Sequence, residues 1–408
     1  MSITTAVTEP LAAQRKIVTG WPLVVILGGL SAFSPLAIDM YVPAFPRIAA
    51  LLAAPIGQVQ LTLSVFLLGL AAGQLLWGTL SDRLGRRVPL ILGCALFILA
   101  AMTCAWAPSI GWLIAARFLM GFGGSSGVVV SRAIARDLFE EHDAARFFSS
   151  LMIVGGIAPI IAPTLGGLLL KYFEWRAIFW VLASFGGVCL AAVAYKVPET
   201  FAPRRQARGG VYRSYWRVLT DSNFAVHTLA CGLNSGVLFA YISGSPFIFI
   251  ELYGLSPQRY GLIFGSNAIG LYLAGQTNRW LLSRFKPRQI LATAGCGSAL
   301  IGALLVSVTA AGQGRFWVFF PLLFCCVTSL GFVFPNATAA ALQSFRTEAG
   351  SASALLGTIQ FAVGAVAGGL VAYFHNGTAL PMATVIAVCA GGSWLAARSA
   401  AKQEGRNG

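Results

Sequence analysis

Long apolar stretches separated by short polar segments dominate the pattern of this chain. Each is long enough to cross the ~30 Å hydrocarbon layer of a bilayer as a helix, which takes about 20 residues. A barrel strand would alternate apolar with polar positions, and these stretches do not. The pattern therefore predicts an all-α membrane protein with 12 transmembrane helices. The stretches fall at roughly 21–44, 58–80, 88–107, 110–131, 146–170, 175–195, 222–250, 258–282, 289–310, 315–342, 350–373 and 378–397.

The longest polar segment lies between the sixth and seventh stretches. From Lys196 to Asp221 it carries five arginines, two prolines and a pair of glycines, a composition typical of a solvated linker. Two similar halves that rock about a central site are the architecture of many secondary transporters. We therefore expect an N-terminal six-helix bundle at 1–196, a cytoplasmic linker at 197–221 and a C-terminal six-helix bundle at 222–408.

Composition and charge agree with a membrane protein and predict its orientation. The 408 residues are 57% hydrophobic and 10% charged, with a net charge of +15. With the N-terminus inside, 22 of the 28 lysines and arginines fall in cytoplasmic segments, so the positive-inside rule predicts that both termini are cytoplasmic. This distribution explains the basic charge without a nucleic-acid partner. The first apolar stretch is too long for a signal peptide, and we expect it to be retained as a span.

The chain offers little chemistry for catalysis or for a cofactor. Its eight cysteines lie in apolar stretches without metal-site spacing, and its three histidines are scattered. We therefore predict no metal and no cofactor. A membrane-embedded enzyme would need convergent catalytic groups, and no Ser–His or HExxH arrangement occurs in the spans. Since a GxxxxGK[ST] nucleotide loop is also missing, the energy for any transport must come from an ion gradient.

The loop after the second stretch reads GTLSDRLGRR over residues 78–87. This resembles the GxxxDRxGRR loop of the major facilitator superfamily, in which the loop is a conformational latch. The resemblance implies a latch made of Gly78, Asp82, Arg83, Gly85, Arg86 and Arg87. The corresponding loop of the second half, with Gly275 and Asn278-Arg279, resembles a degenerate copy that lacks the acid.

Two further motifs extend the resemblance, and the second of them points to antiport. In the fourth stretch, the segment around Arg117 resembles the superfamily's fourth-helix motif, with Met120 in place of its usual glutamine. The fifth stretch carries APxxAPTLGG, which is similar to the GPxxGG antiporter signature with alanine for its leading glycine. Small residues there allow close helix packing, and prolines should kink the helix. The predicted packing motif consists of Pro159, Pro163, Gly166 and Gly167.

Other stretches narrow the resemblance to drug:proton antiporters of the bicyclomycin-resistance (Bcr/CflA) type. They are Asp39-Met-Tyr41-Val-Pro43, the segment 244–251, and the segments 335–340 and 349–357. The resemblance implies a monomer in the bacterial inner membrane. It also implies export of hydrophobic, bicyclomycin- or chloramphenicol-like drugs from the cytoplasm in exchange for protons.

Two charges lie inside the predicted spans, Asp39 in the first and Arg117 in the fourth. A charge at membrane depth costs about 2.5–3.5 kcal/mol on insertion scales and is read as functional by default. Helical rise places Asp39 about 7 Å and Arg117 about 10 Å below the same boundary, so an ion pair or shared water network is expected. Asp39 is predicted to carry the proton and Arg117 to tune it, and the alternative is a static pair.

The substrate site is expected to combine these charges with polar and apolar groups of other spans. An amide or hydroxyl in a span often holds helices together instead. The alternative function is proton-coupled uptake or export of a small polar metabolite, which usually needs more charged or amide groups than this chain offers. The predicted substrate-binding residues are Asp39, Tyr41, Arg117, Met120, Val154, Ala158, Asn234, Tyr241, Asn267, Asn336 and Gln360.

Overall fold

The computed structural model of the chain describes residues 21–138, 141–197, 199–200, 211–343, 345 and 349–407, and every regular element in them is helical. The first part contains α1 Trp21–Ser31, α2 Phe33–Asp39, a 3₁₀ turn Val42–Ala44, α3 Phe45–Leu51, α4 Ile56–Leu84, α5 Arg87–Ala105, α6 Ile110–Leu138, α7 Glu141–Tyr172 and α8 Arg176–Lys196. The second part contains α9 Val211–Thr220, α10 Ser222–Pro246, a π-helix Phe247–Leu252, α11 Pro257–Leu281, α12 Pro287–Ala310, α13 Phe316–Leu342, α14 Ala349–Tyr373 and α15 Leu380–Asn407.

The number of membrane-crossing helices agrees with the sequence. In the described residues nine helices are long and apolar enough to cross a membrane, and the bent pair at 23–51 makes a tenth. Helices α7 and α11 have 32 and 25 residues, so each also has the length of a span. Nine, the bent pair and these two make twelve. The all-α membrane fold predicted from the pattern is therefore the fold observed.

Several helices extend beyond the predicted spans at one end of the bundle. Helix α6 continues to Leu138, α7 begins at Glu141 and α15 reaches Asn407, each five or more residues past its predicted limit. Hydropathy detects only the part of a helix that lies in lipid, whereas polar turns prolong the helix into water. We call this end the motif end because it carries the 78–87 loop, and the end with Arg47 and Trp175 the opposite end.

The first predicted span, 21–44, is not one straight helix. Helix α1 ends at Ser31, and the chain bends by 41° before α2 begins at Phe33. Pro35 explains this break, because it has no N–H to donate to the carbonyl of Ser31 four residues earlier. Pro43 removes the donor for the carbonyl of Asp39 in the same way. Helix α2 therefore stops at Asp39 and continues as the 3₁₀ turn.

Two sets of helices pack against each other, and we call α1–α8 the N-terminal helices and α10–α15 the C-terminal helices. Helix α4 packs along α14, and α7 packs along α11. Glycines allow the α7–α11 approach: a Cβ added to Gly167 would lie 2.7 Å from the carbonyl oxygen of Pro257, and one on Gly261 would lie 2.8 Å from that of Pro163. The opposite end is thus a close contact between the two sets.

The C-terminal part of the predicted linker is helical. Residues 198 and 201–210 lie outside the described part of the chain, but α9 covers Val211–Thr220. Apolar residues recur in α9 at helical spacing, and Val218 is fully buried in a cluster with Phe224 and Phe345. The aromatic and aliphatic residues between the arginines therefore dock the segment on the C-terminal helices.

Candidate functional site

Asp39 is buried at the contact between the two sets of helices. It ends α2, and its side chain is 4% exposed. The 3₁₀ turn that follows packs against α10 and α11, and the carboxyl group interacts electrostatically with Tyr241 and Tyr260 on those two helices. Among the described residues Asp39 is the only buried acid. The broken helix therefore brings a carboxyl group of the N-terminal helices into electrostatic range of two tyrosines of the C-terminal helices.

The hydroxyl groups opposite Asp39 belong to two buried hydrogen-bonded pairs. The Nδ2 of Asn267 donates to the Tyr241 hydroxyl at 3.1 Å, so the phenolic hydrogen of Tyr241 remains available for another acceptor. The hydroxyls of Ser245 and Tyr260 are 2.8 Å apart. Phe264 packs against both tyrosine rings, with centroids at 5.3 and 6.0 Å. These groups form a surface that consists mostly of aromatic rings and carries hydroxyl groups as polar atoms.

Arg117 lies inside the N-terminal helices, in a cage of aromatic rings. Its Cζ is 4.4 Å from the ring centroid of Tyr41, 4.1 Å from that of Phe66 and 6.0 Å from that of Phe179. Its Nη1 donates to the carbonyl oxygen of Ala37 at 3.1 Å, and Met120 Sδ lies 3.6 Å from the same nitrogen. Cation–π contacts of this kind stabilise a desolvated guanidinium by up to about 2 kcal/mol.

The predicted pair of Asp39 and Arg117 is not formed. In the described chain no ion pair within 4.0 Å joins them, and the electrostatic neighbours of Arg117 are Tyr41 and Cys104. Depth alone suggested the pair, but Arg117 binds the carbonyl of Ala37, two residues before Asp39, where a helix turns by about 200°. The Arg117 guanidinium and the Asp39 carboxyl group therefore lie on different faces of α2. The Nε and Nη2 atoms of Arg117 are buried without a hydrogen-bond partner.

Tyr41 links the arginine cage to α4. Its hydroxyl is 2.7 Å from Thr62 Oγ1, and its ring packs against Phe45 and Phe179. Of the other predicted substrate residues, Ala158 is buried on α7 and Val154 lies outside the described side chains.

Three predicted substrate residues make contacts elsewhere among the C-terminal helices. Asn234 donates to Ser393 Oγ at 2.6 Å, which joins α10 to α15. Asn336 donates to Asn278 Oδ1 at 2.7 Å and joins α13 to α11, while Gln360 lies on α14 near Cys231 of α10. Of the predicted substrate residues whose side chains are described, Asp39, Tyr241 and Asn267 lie near one another, and the other amides contact neighbouring helices.

The glycines of the α7 signature lie in close contacts, whereas its prolines do not break the helix. Pro159 and Pro163 both lie within the continuous helix α7. A Cβ on Gly166 would collide with the carbonyl of Met40, and Gly167 approaches Pro257 as described above. The signature thus holds α7 against both the residue after Asp39 and the start of α11.

The motif end carries a network of charged groups centred on Arg86. Its Nη1 is 2.6 Å from Asp82 Oδ1 and 3.1 Å from Ser81 Oγ, and its Nε is 2.7 Å from Asp137 Oδ2 on α6. Burial of Arg86 disfavours its charge, but the hydrogen bonds to Asp137 and Asp82 outweigh this, so the pKa of Arg86 is raised. The network ties α4, the 85–86 turn and α6 together.

Glu199 completes this network from beyond α8. Its carboxylate accepts the backbone N–H groups of Arg86 at 2.8 Å and Arg87 at 3.1 Å, which lie at the N-terminus of α5. A carboxylate is favourable at a helix N-terminus, where N–H groups lack intrahelical partners. Gly85 has φ 87°, and a Cβ there would lie 2.5 Å from Glu199 Oε2. The second glycine of the motif is thus favoured by its backbone conformation, and a side chain there would displace the Glu199 carboxylate.

Sequence reasoning missed several of these residues. Asp137 and Glu199 do not belong to the loop motif, although each is an acid close to a basic segment at the same end of the bundle. Ser245 and Tyr260 were not selected either. Ser245 follows Tyr241 by four residues and so shares its helix face, a signal that was available. Tyr260 was not distinguishable from the many aromatic residues at membrane interfaces.

Fold and site together define a multi-pass helical membrane protein, with a buried acid between two sets of helices and an ionic network at one end. The chain belongs to the major facilitator superfamily, whose family model matches residues 27–369. It is therefore a membrane transporter, and the family resemblance drawn from the motifs is confirmed.

The relatives of the chain cover most of its length. The uncharacterised transporter YdgK of Bacillus subtilis is 36% identical over 90% of this chain and 92% of the relative. A bicyclomycin resistance protein homolog of Haemophilus influenzae is 32% identical over the same shares. The multidrug resistance protein MdtL of Escherichia coli is 32% identical over 80% of this chain and 82% of the relative.

Solved structures share the fold at low sequence identity. A bacterial homolog of the lysosomal transporter Spinster, in an inward-facing conformation, has a TM-score of 0.73 at 14% identity and covers 92% of this chain and 96% of its own. A D-xylose–proton symporter has a TM-score of 0.70 at 17% identity, covering 90% and 95%. These likenesses establish the architecture and do not extend to substrates.

Proposed function

We propose that this protein exports hydrophobic antimicrobials across the bacterial inner membrane in exchange for protons. Two relatives are named for bicyclomycin or multidrug resistance. The observation that carries the proton part is Asp39, a buried carboxyl group at the contact between the two sets of helices that has no ion pair with any described residue. Alternating access requires those sets to separate, and separation would expose this carboxyl group to water.

The surroundings of Asp39 suit a hydrophobic drug better than a sugar. Aromatic rings of Tyr241, Tyr260 and Phe264 supply most of the surface, and polar contacts are limited to hydroxyl and amide groups. Small-molecule sites combine a mainly apolar lining with a few placed polar groups. Asn267 Oδ1 is buried without a hydrogen-bond partner, and a drug donor would satisfy it.

We assign Arg117 a positioning role. By donating to the Ala37 carbonyl and stacking on Tyr41, it fixes the last turn of α2 and therefore the place of Asp39. Its unpartnered Nε and Nη2 supply donors for an acceptor that arrives when α2 moves. This replaces the direct ion pair expected from depth alone.

The orientation follows from the basic residues. With the motif end in the cytoplasm, both termini are cytoplasmic, and the opposite end faces the outside of the cell. The Arg86 network then lies at the cytoplasmic side and Asp39 lies nearer the outside. Thiol labelling of single cysteines placed on exposed loops, in intact cells and in inverted vesicles, tests this arrangement.

The central test is transport by purified protein in liposomes with an imposed pH gradient and a small panel of hydrophobic antimicrobials. Asp39→Asn keeps the shape of the side chain but removes its proton, so we expect accumulation driven by the pH gradient to fall to the leak of protein-free liposomes. Glu174→Gln makes the same chemical change on an exposed carboxylate and should transport normally.

Two results would count against the proposal. If Asp39→Asn still accumulates drug against its gradient, the proton travels elsewhere. If the wild type moves no member of the panel but carries a small polar metabolite, the substrate class is wrong.

A further inference from the structure

A polar side chain without a partner lies between α4 and the C-terminal helices at the opposite end. Gln60 is fully buried, and neither its Oε1 nor its Nε2 has a hydrogen-bond partner. Leaving a buried polar group unsatisfied costs about 1–3 kcal/mol. An amide at this position therefore calls for a ligand that both donates and accepts hydrogen bonds.

Gln60 borders a small cavity that meets this need. The cavity has a volume of about 10 Å³, and its polar lining consists of Gln60, His375 and Thr378. A single water needs roughly 10–15 Å³ and two to four polar partners. The cavity thus has the size and the lining for one water molecule between the Gln60 amide and the His375 imidazole.

His375 lies in the contact that closes the opposite end. Its ring packs edge-on against Phe247 of the π-helix, with centroids 4.4 Å apart. A Cβ added to Gly57, at the start of α4, would lie 2.6 Å from the Ala372 carbonyl oxygen and 3.7 Å from His375 Cβ. The imidazole is therefore held between an N-terminal helix and the C-terminal helices, next to solvent at the end of α14.

We propose that Gln60 and His375 form a proton-responsive water site that keeps the opposite end closed while His375 is neutral and favours its opening when His375 is protonated. The site is distinct from Asp39. It rests on the proposed function only in so far as the two sets of helices separate during transport.

The sign follows from the surroundings of the imidazole. Burial lowers the pKa of His375, so the closed contact favours the neutral ring. Separation would hydrate the ring and return it towards its ordinary value of about 6.5. The contribution of His375 to closure is therefore present above that value and is lost as the pH falls through it. If the opposite end faces an acidic exterior, protons there promote opening.

No other charge at the cavity competes with this response. Among the described residues, His375 is the only titratable one that lines the cavity. The π-helix carries Glu251, which is exposed and does not line the cavity. Arg47, on the neighbouring α3, is directed instead to the carbonyl of Leu170 at 2.5 Å. The described parts of α14 and α15 that line the cavity contribute only uncharged side chains besides His375.

Hydrogen–deuterium exchange of the π-helix Phe247–Leu252 tests the site in the purified full-length protein. With labelling times corrected for the intrinsic effect of pH, exchange in the wild type should rise as the pH falls from about 7.5 to 5.5, by at most about tenfold per pH unit for one proton. His375→Asn should show no such rise. His227→Asn, which changes a buried histidine near the motif end, should respond as the wild type does.

A second variant tests the water and guards against misfolding of His375→Asn. Gln60→Leu removes the polar partner of the water, so the ring should be harder to protonate in the closed contact. The rise in exchange should then begin near the same pH as in the wild type but continue to lower pH and reach a larger total. A π-helix whose exchange does not depend on pH in the wild type would overturn the proposal. So would a transition that is unchanged in both variants.

The outcome is separable from that of the Asp39 test. Asp39→Asn should retain the exchange transition of the wild type, because its carboxyl group does not line the cavity. If Asp39→Asn still pumps drug while His375→Asn loses the transition, the proposed coupling acid is wrong and the His375 site stands. If Asp39→Asn abolishes pumping and His375→Asn keeps the transition, only the His375 site fails.

Discussion

Each set of helices links its second membrane span to its fourth, but the two sets do so in different ways. In the N-terminal helices, α4 and α6 are linked through Arg86, which contacts Asp82 at 2.6 Å and Asp137 at 2.7 Å. In the C-terminal helices, α11 and α13 are linked by one neutral hydrogen bond, from Asn336 to Asn278 at 2.7 Å. Asn278 occupies the place of the acid in the degenerate copy of the motif.

The Arg86 network and the Asn278–Asn336 hydrogen bond differ in charge and in exposure to water. The side chains of Asp82 and Asp137 are 59% and 17% exposed, whereas Asn278 and Asn336 are 2% and 3% exposed. Ions that can reach water are released at modest cost, but a buried amide that loses its partner pays its full desolvation penalty. The charged link is therefore the one suited to break and re-form during a transport cycle, and the amide link is suited to remain.

Replacing Arg86 should have the largest effect. Arg86→Met keeps the length of the side chain but removes the cation that both acids share. Asp82 is 59% exposed and can be hydrated, whereas Asp137 is 17% exposed and would lose its partner, so the loss should lie between that of an exposed ion pair and the cost of about 3–5 kcal/mol for a buried one. We expect the free energy of unfolding in mixed micelles to fall by about 3 kcal/mol and transport to be nearly lost. Arg259→Met, on an exposed arginine of α11, is the matched control and should change neither. Wild-type stability in Arg86→Met would show that the network does not hold the N-terminal helices.

Breaking the hydrogen bond between Asn278 and Asn336 should lower stability less than replacing Arg86. The effects of replacing the two amides should also depend on each other. Asn336→Leu leaves Asn278 Oδ1 without this donor, so we expect a loss of about 1–3 kcal/mol in the same unfolding assay. The double variant Asn278→Leu, Asn336→Leu leaves neither amide behind and should lose less than the sum of the two single variants. Additive losses would mean that the two amides do not depend on each other.

The features that could be predicted from the sequence are those that depend on residues close to one another along the chain. The twelve spans and the 78–87 loop could be predicted, because hydropathy and a contiguous motif are properties of neighbouring residues. The place of Glu199 could not, because it meets Arg86 from 113 residues away. The failure of the Asp39–Arg117 pair shows the same limit: sequence gives depth, but the breaks near Pro35 and Pro43 decide which way each face of α2 points.

The smallest change in stability is expected for replacement of Asp82. The salt dependence of its coupling to Arg86 should distinguish the charged link most clearly from the amide link. Asp82 is 59% exposed and Arg86 retains Asp137, so Asp82→Asn should cost less than about 1 kcal/mol.

The coupling of Asp82 to Arg86 in a double-mutant cycle should shrink as salt shortens the Debye length from about 10 Å at 0.1 M to about 3 Å at 1 M. The Asn278–Asn336 coupling should not change with salt, since neither group is charged. Drug turnover in Asp82→Asn should nevertheless slow at unchanged drug affinity if the network is the conformational latch that we expect, because it would then control interconversion and lie outside the proposed drug site. A large loss of affinity with normal turnover would place Asp82 in binding and would remove the contrast between the two links.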